Sequence, residues 1–181
     1  MTTTVAGDRT AADQIYEINA HLLYELKWMI LAASQFAQGD TGHLHVALID
    51  SATVHARNLF EFGRSRKTGH FTLYELGGTP RKSRAWDHWA NNRVTHMTTR
   101  ETDRAPWPED LDNDREDRLM VMAKAVLDRL DDGAEAVPPG PTRLALLEVL
   151  AAARTYWHEP TEENHQRLSG LYDGSRDHRS Y

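Results

Sequence analysis

Cysteine is absent from all 181 residues of the chain. That single absence excludes a disulfide framework, a thiolate nucleophile and a cysteine-ligated zinc site. No run approaches the roughly 20 apolar residues that a membrane-spanning helix requires. The opening MTTTVAGDRTAAD lacks the apolar centre of a signal peptide, so a cytoplasmic protein with no membrane association is expected. GxSxG and HExxH are both missing, which removes the signatures of a hydrolase nucleophile elbow and a zinc protease. No stretch alternates apolar and polar residues strongly enough to demand a sheet, and there is neither an internal repeat nor a sustained heptad.

Enough apolar material remains to build a core. Hydrophobic residues make up 40% of the chain, against a mean hydropathy of −0.64. Such a sequence is polar at its surface yet too rich in apolar clusters to stay unfolded. The net charge of −6 is unevenly spread. Residues 1–62 carry 3 basic and 7 acidic groups, residues 63–104 carry 9 and 4, and residues 105–181 carry 9 and 16. The middle third is therefore a basic island in an acidic chain. Gathered on one face, it is able to bind phosphate although the whole molecule is negative.

Apolar spacing is helical almost throughout, and the expected fold is all-α: a four- to five-helix bundle with an up-down antiparallel core and additional C-terminal helices. Ile15, Ile18, Leu22, Leu26, Met29, Ala33 and Phe36 recur at steps of three or four and predict a helix over 12–38. Gly39 and the Asp40-Thr41-Gly42 turn separate it from a second helix over about 42–62, packed against it as a hairpin. FTLYEL, within the irregular 63–79 segment, fits either a short strand or a helical turn. Thr79-Pro80 opens a third helix over about 80–98, with Thr as cap and Pro in the first turn. Leu119, Met122, Val126 and Leu130 line one face of a fourth helix, over about 113–131, that stops before Gly133. VPPGP at 137–141 is a rigid link to helices over about 142–157 and 161–172. One helical domain over 12–173 is expected, with a frayed 1–11 and a flexible 174–181.

Two helices carry unusual polar content. Projected at 100° per residue with His88 as zero, Arg81, Arg84, Asn92 and Thr99 lie within about 40° of it, with His96 near 80° at the edge. Trp86, Ala90, Val94 and Met97 occupy the opposite, core-facing side. Solvated helix faces favour Glu and Lys, whereas this stripe is Arg, His and Asn. On the second helix Ser51, His55 and Asn58 share a side at i, i+4 and i+7, flanked by Leu44, Leu48, Leu59 and Phe62. Arg57 lies about 200° from His55 around that helix and pairs naturally with Glu61 at i+4. As an ordinary core-edge histidine, His55 is expected to bond Ser51 or a backbone carbonyl.

Ten histidines raise the question of metal. His43 and His45 form an HxH pair, but no HExxH and no paired ExxH accompanies them. His88 and His96 stand about 12 Å apart along a helix axis, too far to share an ion unaided. No metal and no cofactor are expected.

In NNRVTHMTTR, residues 91–100, Asn91-Asn92-RVT-His96 follows the layout of an Arg-polar-x-x-x-His motif, with asparagine at the arginine position. Arg81-KSRAWD-His88, with six intervening residues, meets the upper end of the motif's four-to-six-residue spacing, on one helical face. A small helical bundle with this polar cluster near the end of its third main helix resembles the HEPN superfamily. HARNLFEF at 55–62 is also similar to a stretch found beside an NxxxH-type helix in small bacterial helical proteins. The resemblance covers about residues 12–130. It implies a metal-independent endoribonuclease of toxin–antitoxin or phage-defence type, with a composite site built across a homodimer.

Under that resemblance His96, Asn92, Arg93, His88, His55 and Arg57 are the candidate catalytic residues. Histidine titrates near neutrality and suits acid–base work on the 2′-OH. Arginine neutralises phosphorane charge, and asparagine orients the leaving group. Arg93 or Arg100 would stand in for the arginine replaced at position 91. Arg64, Arg66, Lys67, Arg81 and Arg84 would track the RNA backbone, with Phe71, Tyr74 or Trp89 stacking on a base. The expected partners are a second copy of the chain, RNA and a cognate protein. The competing class is a non-catalytic, antitoxin-like or adaptor homodimer whose polar stripes bind a partner.

Overall fold

The computed structural model describes residues 9–39, 41–65, 71–80, 89–90 and 118–173. All regular structure among them is helical. The first rod begins at α1 (Ala11–Glu17), widens into a π-helical turn (Ile18–Leu22) and continues as α2 (Leu23–Ala37). The expected uninterrupted helix over 12–38 is thus broken by one wide turn. A 3₁₀ turn (Gly42–Leu44) leads into α3 (His45–Arg64), followed by α4 (Arg118–Ala134), α5 (Pro141–His158) and α6 (Glu162–Asp173).

Local chemistry sets the ends. Thr10 Oγ1 accepts from the Asp13 amide at 3.2 Å while Asp13 Oδ2 accepts from the Thr10 amide at 3.0 Å, a reciprocal capping box. At the other end Gly39, at φ 85°, donates to the Phe36 carbonyl at 3.1 Å. That left-handed conformation is what an achiral residue allows and what stops the rod. Pro141 occupies the first turn of α5, where its missing amide costs nothing.

α2 and α3 form the expected antiparallel hairpin, and their seam can be traced by contacts. Phe36 meets His45 at 4.8 Å between ring centroids near the closed end, and Glu25 meets His55 and Asn58 midway. α4 packs across both, and α5 and α6 close the other side. Leu26, Met29, Ile30, Phe60, Leu119, Met122, Val126 and Leu130 are buried in one continuous core. Leu44, expected to flank the polar side of the second helix, lies in the 3₁₀ turn before α3 and is 53% exposed. FTLYEL resolves as a turn over residues 73–77 rather than a strand. The Leu73 amide donates at 3.0 Å to the Phe62 carbonyl, one of the acceptors the end of α3 leaves orphaned. α4 runs through Gly133 to Ala134 instead of stopping before the glycine, and the loop around Leu73 and Thr79 lies directly against Gly133.

α4 and α5 are tied by charge. Arg154 Nη1 lies 2.9 Å from Asp128 Oδ1, its Nε donates to Asp131 at 3.0 Å, and Lys124 donates to Asp128 at 2.6 Å. Burial pushes the Asp128 carboxyl up, but the hydrogen bonds and charges of Lys124 and Arg154 outweigh it and hold it below the ordinary aspartate value. A carboxyl depressed on folding contributes stability above its unfolded pKa of about 3.9 and loses it as pH falls through the folded value. Replacing Arg154 by methionine is therefore expected to lower the urea midpoint at pH 7 and to shrink its drop between pH 7 and pH 3. An unchanged acid limb would show that the pair adds nothing to the pH dependence.

Candidate functional site

The most developed polar cluster lies on the α2–α3 seam. His55 Nδ1 is 2.7 Å from Glu25 Oε2, and Asn58 Nδ2 donates to Glu25 Oε1 at 3.2 Å. One carboxylate therefore bridges two residues of the neighbouring helix. The His55 and Glu25 side chains are 15% and 23% exposed, enough cover to hold the pair in place while leaving it within reach of solvent. An ionised carboxylate only accepts, so the Nδ1 facing it carries the proton. Nε2 is then the nitrogen that exchanges protons with anything bound beside it. Tyr24 and the imidazole pack in a T-shaped arrangement, with centroids 5.7 Å apart at 72°.

The helical repeat explains the convergence. Glu25 lies next in sequence to the buried Leu26, and His55 lies next to the buried Ala56. Each thus sits at the margin of its helix's core stripe, and antiparallel packing brings the two margins together. The partner of His55 is consequently Glu25, not the Ser51 or backbone carbonyl expected from its own helix.

Beyond Asn58 the surface opens into a cavity of about 540 Å³ at the end of α3, walled by Arg57, Asn58, Glu61, Arg64 and Phe71 among others. A smaller hollow of about 160 Å³, lined by His21, Glu25, Asn58 and Phe71, adjoins it. Asn58, Phe62 and Phe71 belong to both walls, so the two spaces are neighbours across these three side chains. Phe71 leans on Phe62 at 5.1 Å and forms its apolar side. Arg64 donates to Glu61 through Nε at 2.8 Å and Nη2 at 2.6 Å. Glu61, expected to pair with Arg57, thus engages Arg64.

Three candidate residues are placed by the structure: His55, Arg57 and Arg64. Arg57 and Arg64 share the larger cavity, while His55 stands in the seam and joins them through Asn58 and Glu25. His88, Asn92, Arg93, His96 and Arg100, with Arg66, Lys67, Arg81 and Arg84, lie outside the described residues. Of the three rings proposed to stack on a base, Tyr74 is 47% exposed, Phe71 is half-buried against Phe62, and Trp89 is only 2% exposed. Trp89 is therefore core and presents no face to a ligand. Glu25 was not legible as a site residue, since one carboxylate on an amphipathic helix reads as surface. Its signal was the adjoining Leu26, which places it beside the apolar stripe.

Among the described residues no three His, Cys, Asp or Glu side chains gather as metal ligands, and no helix is long and apolar enough to cross a membrane. His45 of the HxH pair stacks on Phe36, with its Nδ1 3.3 Å from Thr41 Oγ1. Comparison with protein-family models, with curated proteins and with solved structures yields no match.

Proposed function

We propose that the protein is a metal-independent endoribonuclease of the HEPN-like kind, working as a homodimer and cleaving RNA by attack of the 2′-OH. The observation that carries this reading is the Glu25–His55 pair, which Asn58 links to a cavity walled by Arg57 and Arg64. Glu25 fixes the imidazole tautomer, and His55 Nε2 takes the proton from the 2′-OH. The freed oxygen attacks phosphorus, and the bond to the 5′-oxygen breaks. A second acid, assigned to His96 from the sequence motif, protonates that leaving oxygen. The products are a 2′,3′-cyclic phosphate and a 5′-hydroxyl. Arg64 supplies charge to the phosphorane, Arg57, on the opposite side of α3 from His55, serves the pocket of the second copy, and Asn92 and Arg93 orient the chain.

The test is cleavage of mixed-sequence single-stranded RNA by pure protein in EDTA, with cyclic-phosphate ends identified by mass spectrometry. His55→Ala is expected to slow cleavage by about 10²- to 10⁴-fold, the usual worth of a general base. An unchanged rate clears His55, and the same comparison with His96→Ala judges the second histidine separately. The competing reading, a non-catalytic interaction protein, draws support from Leu144 and Leu147 on α5, which are 70% and 38% exposed. Absence of cleavage across varied RNAs would decide for it.

A further inference from the structure

The smaller hollow, of about 160 Å³, differs in character from the arginine-walled cavity beside it. Its lining is mostly carbon: the buried Leu22, Leu59 and Phe62, with Phe71 tilted against Phe62 at 5.1 Å and 40°. Size limits what it can take. An apolar cavity of about 150 Å³ holds one benzene ring, whereas pockets for drug-sized ligands begin at about 300 Å³. One six-membered ring therefore fits, and a fused bicycle leaves part of itself outside.

Three polar side chains complete the lining: His21, Glu25 and Asn58. Their existing contacts decide what remains for a ligand. Glu25 accepts from Asn58 through Oε1 and from His55 through Oε2, but an ionised carboxylate has about four acceptor sites, so part of its capacity stays open. Asn58 spends one Nδ2 hydrogen on Glu25, which fixes the amide's orientation and leaves Oδ1 as an acceptor beside one remaining hydrogen. His21 holds Nε2 3.3 Å from Glu17 Oε2, and Glu17 is not part of the wall, so Nδ1 is the nitrogen left to accept. Acceptors thus outnumber donors, and a carboxylate is among them. The ring that suits such a lining carries an amino group. Cytosine presents N4–H₂ where uracil presents the O4 acceptor, which Glu25 would repel. An aliphatic side chain from a protein partner would fill the carbon wall but cover these acceptors with no donor, leaving hydrogen bonds unmade.

We infer that this hollow is a binding site for one cytosine ring, stacked on Phe71 with its amino group directed at Glu25 and Asn58 Oδ1. Asn58 is then a specificity-determining residue, and its hydrogen bond to Glu25 is what keeps Oδ1 turned to the ligand. As a ligand site the hollow stands apart from the nuclease reading. Its consequence for cleavage, a cut beside cytidine in preference to uridine, rests on that reading.

Binding is measured apart from cleavage with free nucleosides, titrated into the protein and followed by amide chemical shifts. Cytidine is expected to bind about 5- to 150-fold more tightly than uridine, the range for one well-made contact to a base edge. N4,N4-dimethylcytidine, which has no amino hydrogens, should bind no better than uridine. Adenosine should fall below cytidine because its second ring does not fit. Asn58→Leu should lose most of the preference for cytidine, whereas Phe71→Ala should weaken cytidine and uridine alike, by about 5- to 100-fold for one lost base–ring stack. Thermal melts of each variant establish that the fold is intact. Equal Kd for cytidine and uridine, a dimethyl compound as tight as cytidine, or no cytidine binding at about 10 mM overturns the inference. So does a folded Asn58→Leu variant that keeps the full preference, or adenosine binding more tightly than cytidine. If the protein cleaves RNA but no nucleoside binds, the hollow alone fails. If cytidine binds selectively and no RNA is cleaved, the nuclease reading alone fails.

Discussion

Replacing Trp89 by alanine is expected to cost about 3–5 kcal/mol of folding stability, the range for removing a fully enclosed large aromatic side chain. For a chain of this size that is a fall in Tm of roughly 6–20 °C. The argument starts from burial: the indole is 2% exposed and its neighbour Ala90 is 0% exposed, both as part of the main core. Truncation therefore removes packing from the interior rather than from a surface, and the surrounding Leu, Met and Phe side chains fill such a void only in part. Trp89→Phe should cost markedly less because most of the ring volume stays. Tyr74→Ala, at an exposed ring on the turn over residues 73–77, should change stability by about 0.5 kcal/mol at most. A calorimetric shift for Trp89→Ala no larger than that of Tyr74→Ala would contradict the burial of the indole.

Gly133→Ala is the second large effect, expected to destabilise by about 2 kcal/mol despite alanine's better helix propensity. A Cβ at 133 would meet Leu73 Cδ2 at 2.3 Å and the Thr79 carbonyl oxygen at 3.0 Å. Leu73 has little room to turn aside, since it is 0% exposed and also lies against Gly78. The Thr79 oxygen is backbone, and the Thr79 amide donates at 3.1 Å to the carbonyl of Gly133 itself. The loop must therefore move as a unit, carrying the Leu73-to-Phe62 hydrogen bond with it. Leu73→Ala in the same chain removes half of the collision, so the double variant should be more stable than the two single losses predict by addition. Gly170→Ala on α6, where a Cβ meets nothing within 4 Å, should instead be neutral or gain up to about 1 kcal/mol. Equal urea midpoints for Gly133→Ala and the parent protein would rule out the close approach.

The contrast between these glycines shows what the sequence could and could not disclose. Spacing alone identified Leu119, Met122, Val126 and Leu130 as one face of a helix, and all four are buried. The reason is that a helix's own periodicity decides which side turns inward. Gly133 looked like a helix end because an isolated glycine after an apolar stripe usually is one. Its actual role depends on a loop some sixty residues earlier in the chain, which no local pattern encodes. Trp89 misled for a related reason: it lies about 100° from His88, between the polar stripe and the core stripe, where projection does not choose. The seam between α2 and α3 was legible as a hairpin, yet the Glu25–His55 contact spans thirty positions and became visible only in three dimensions.

The widened turn at Ile18–Leu22 gives the first rod a counted length. Upstream of it, Gln14 accepts from the Thr142 hydroxyl of α5 at 2.9 Å; downstream, Glu25 meets His55 of α3 at 2.7 Å. Each residue of an α-helix advances the phase by about 100°, and a π turn absorbs one residue more than a regular turn does. Excising one residue there would restore an unbroken helix, and because the residue removed is the one the wide turn absorbs, its two halves would keep nearly their present phase and both anchors. The orientation of Glu25 is thus set by the regular turns on either side, so a chain shortened by one at this turn would keep both the bundle and the polar seam.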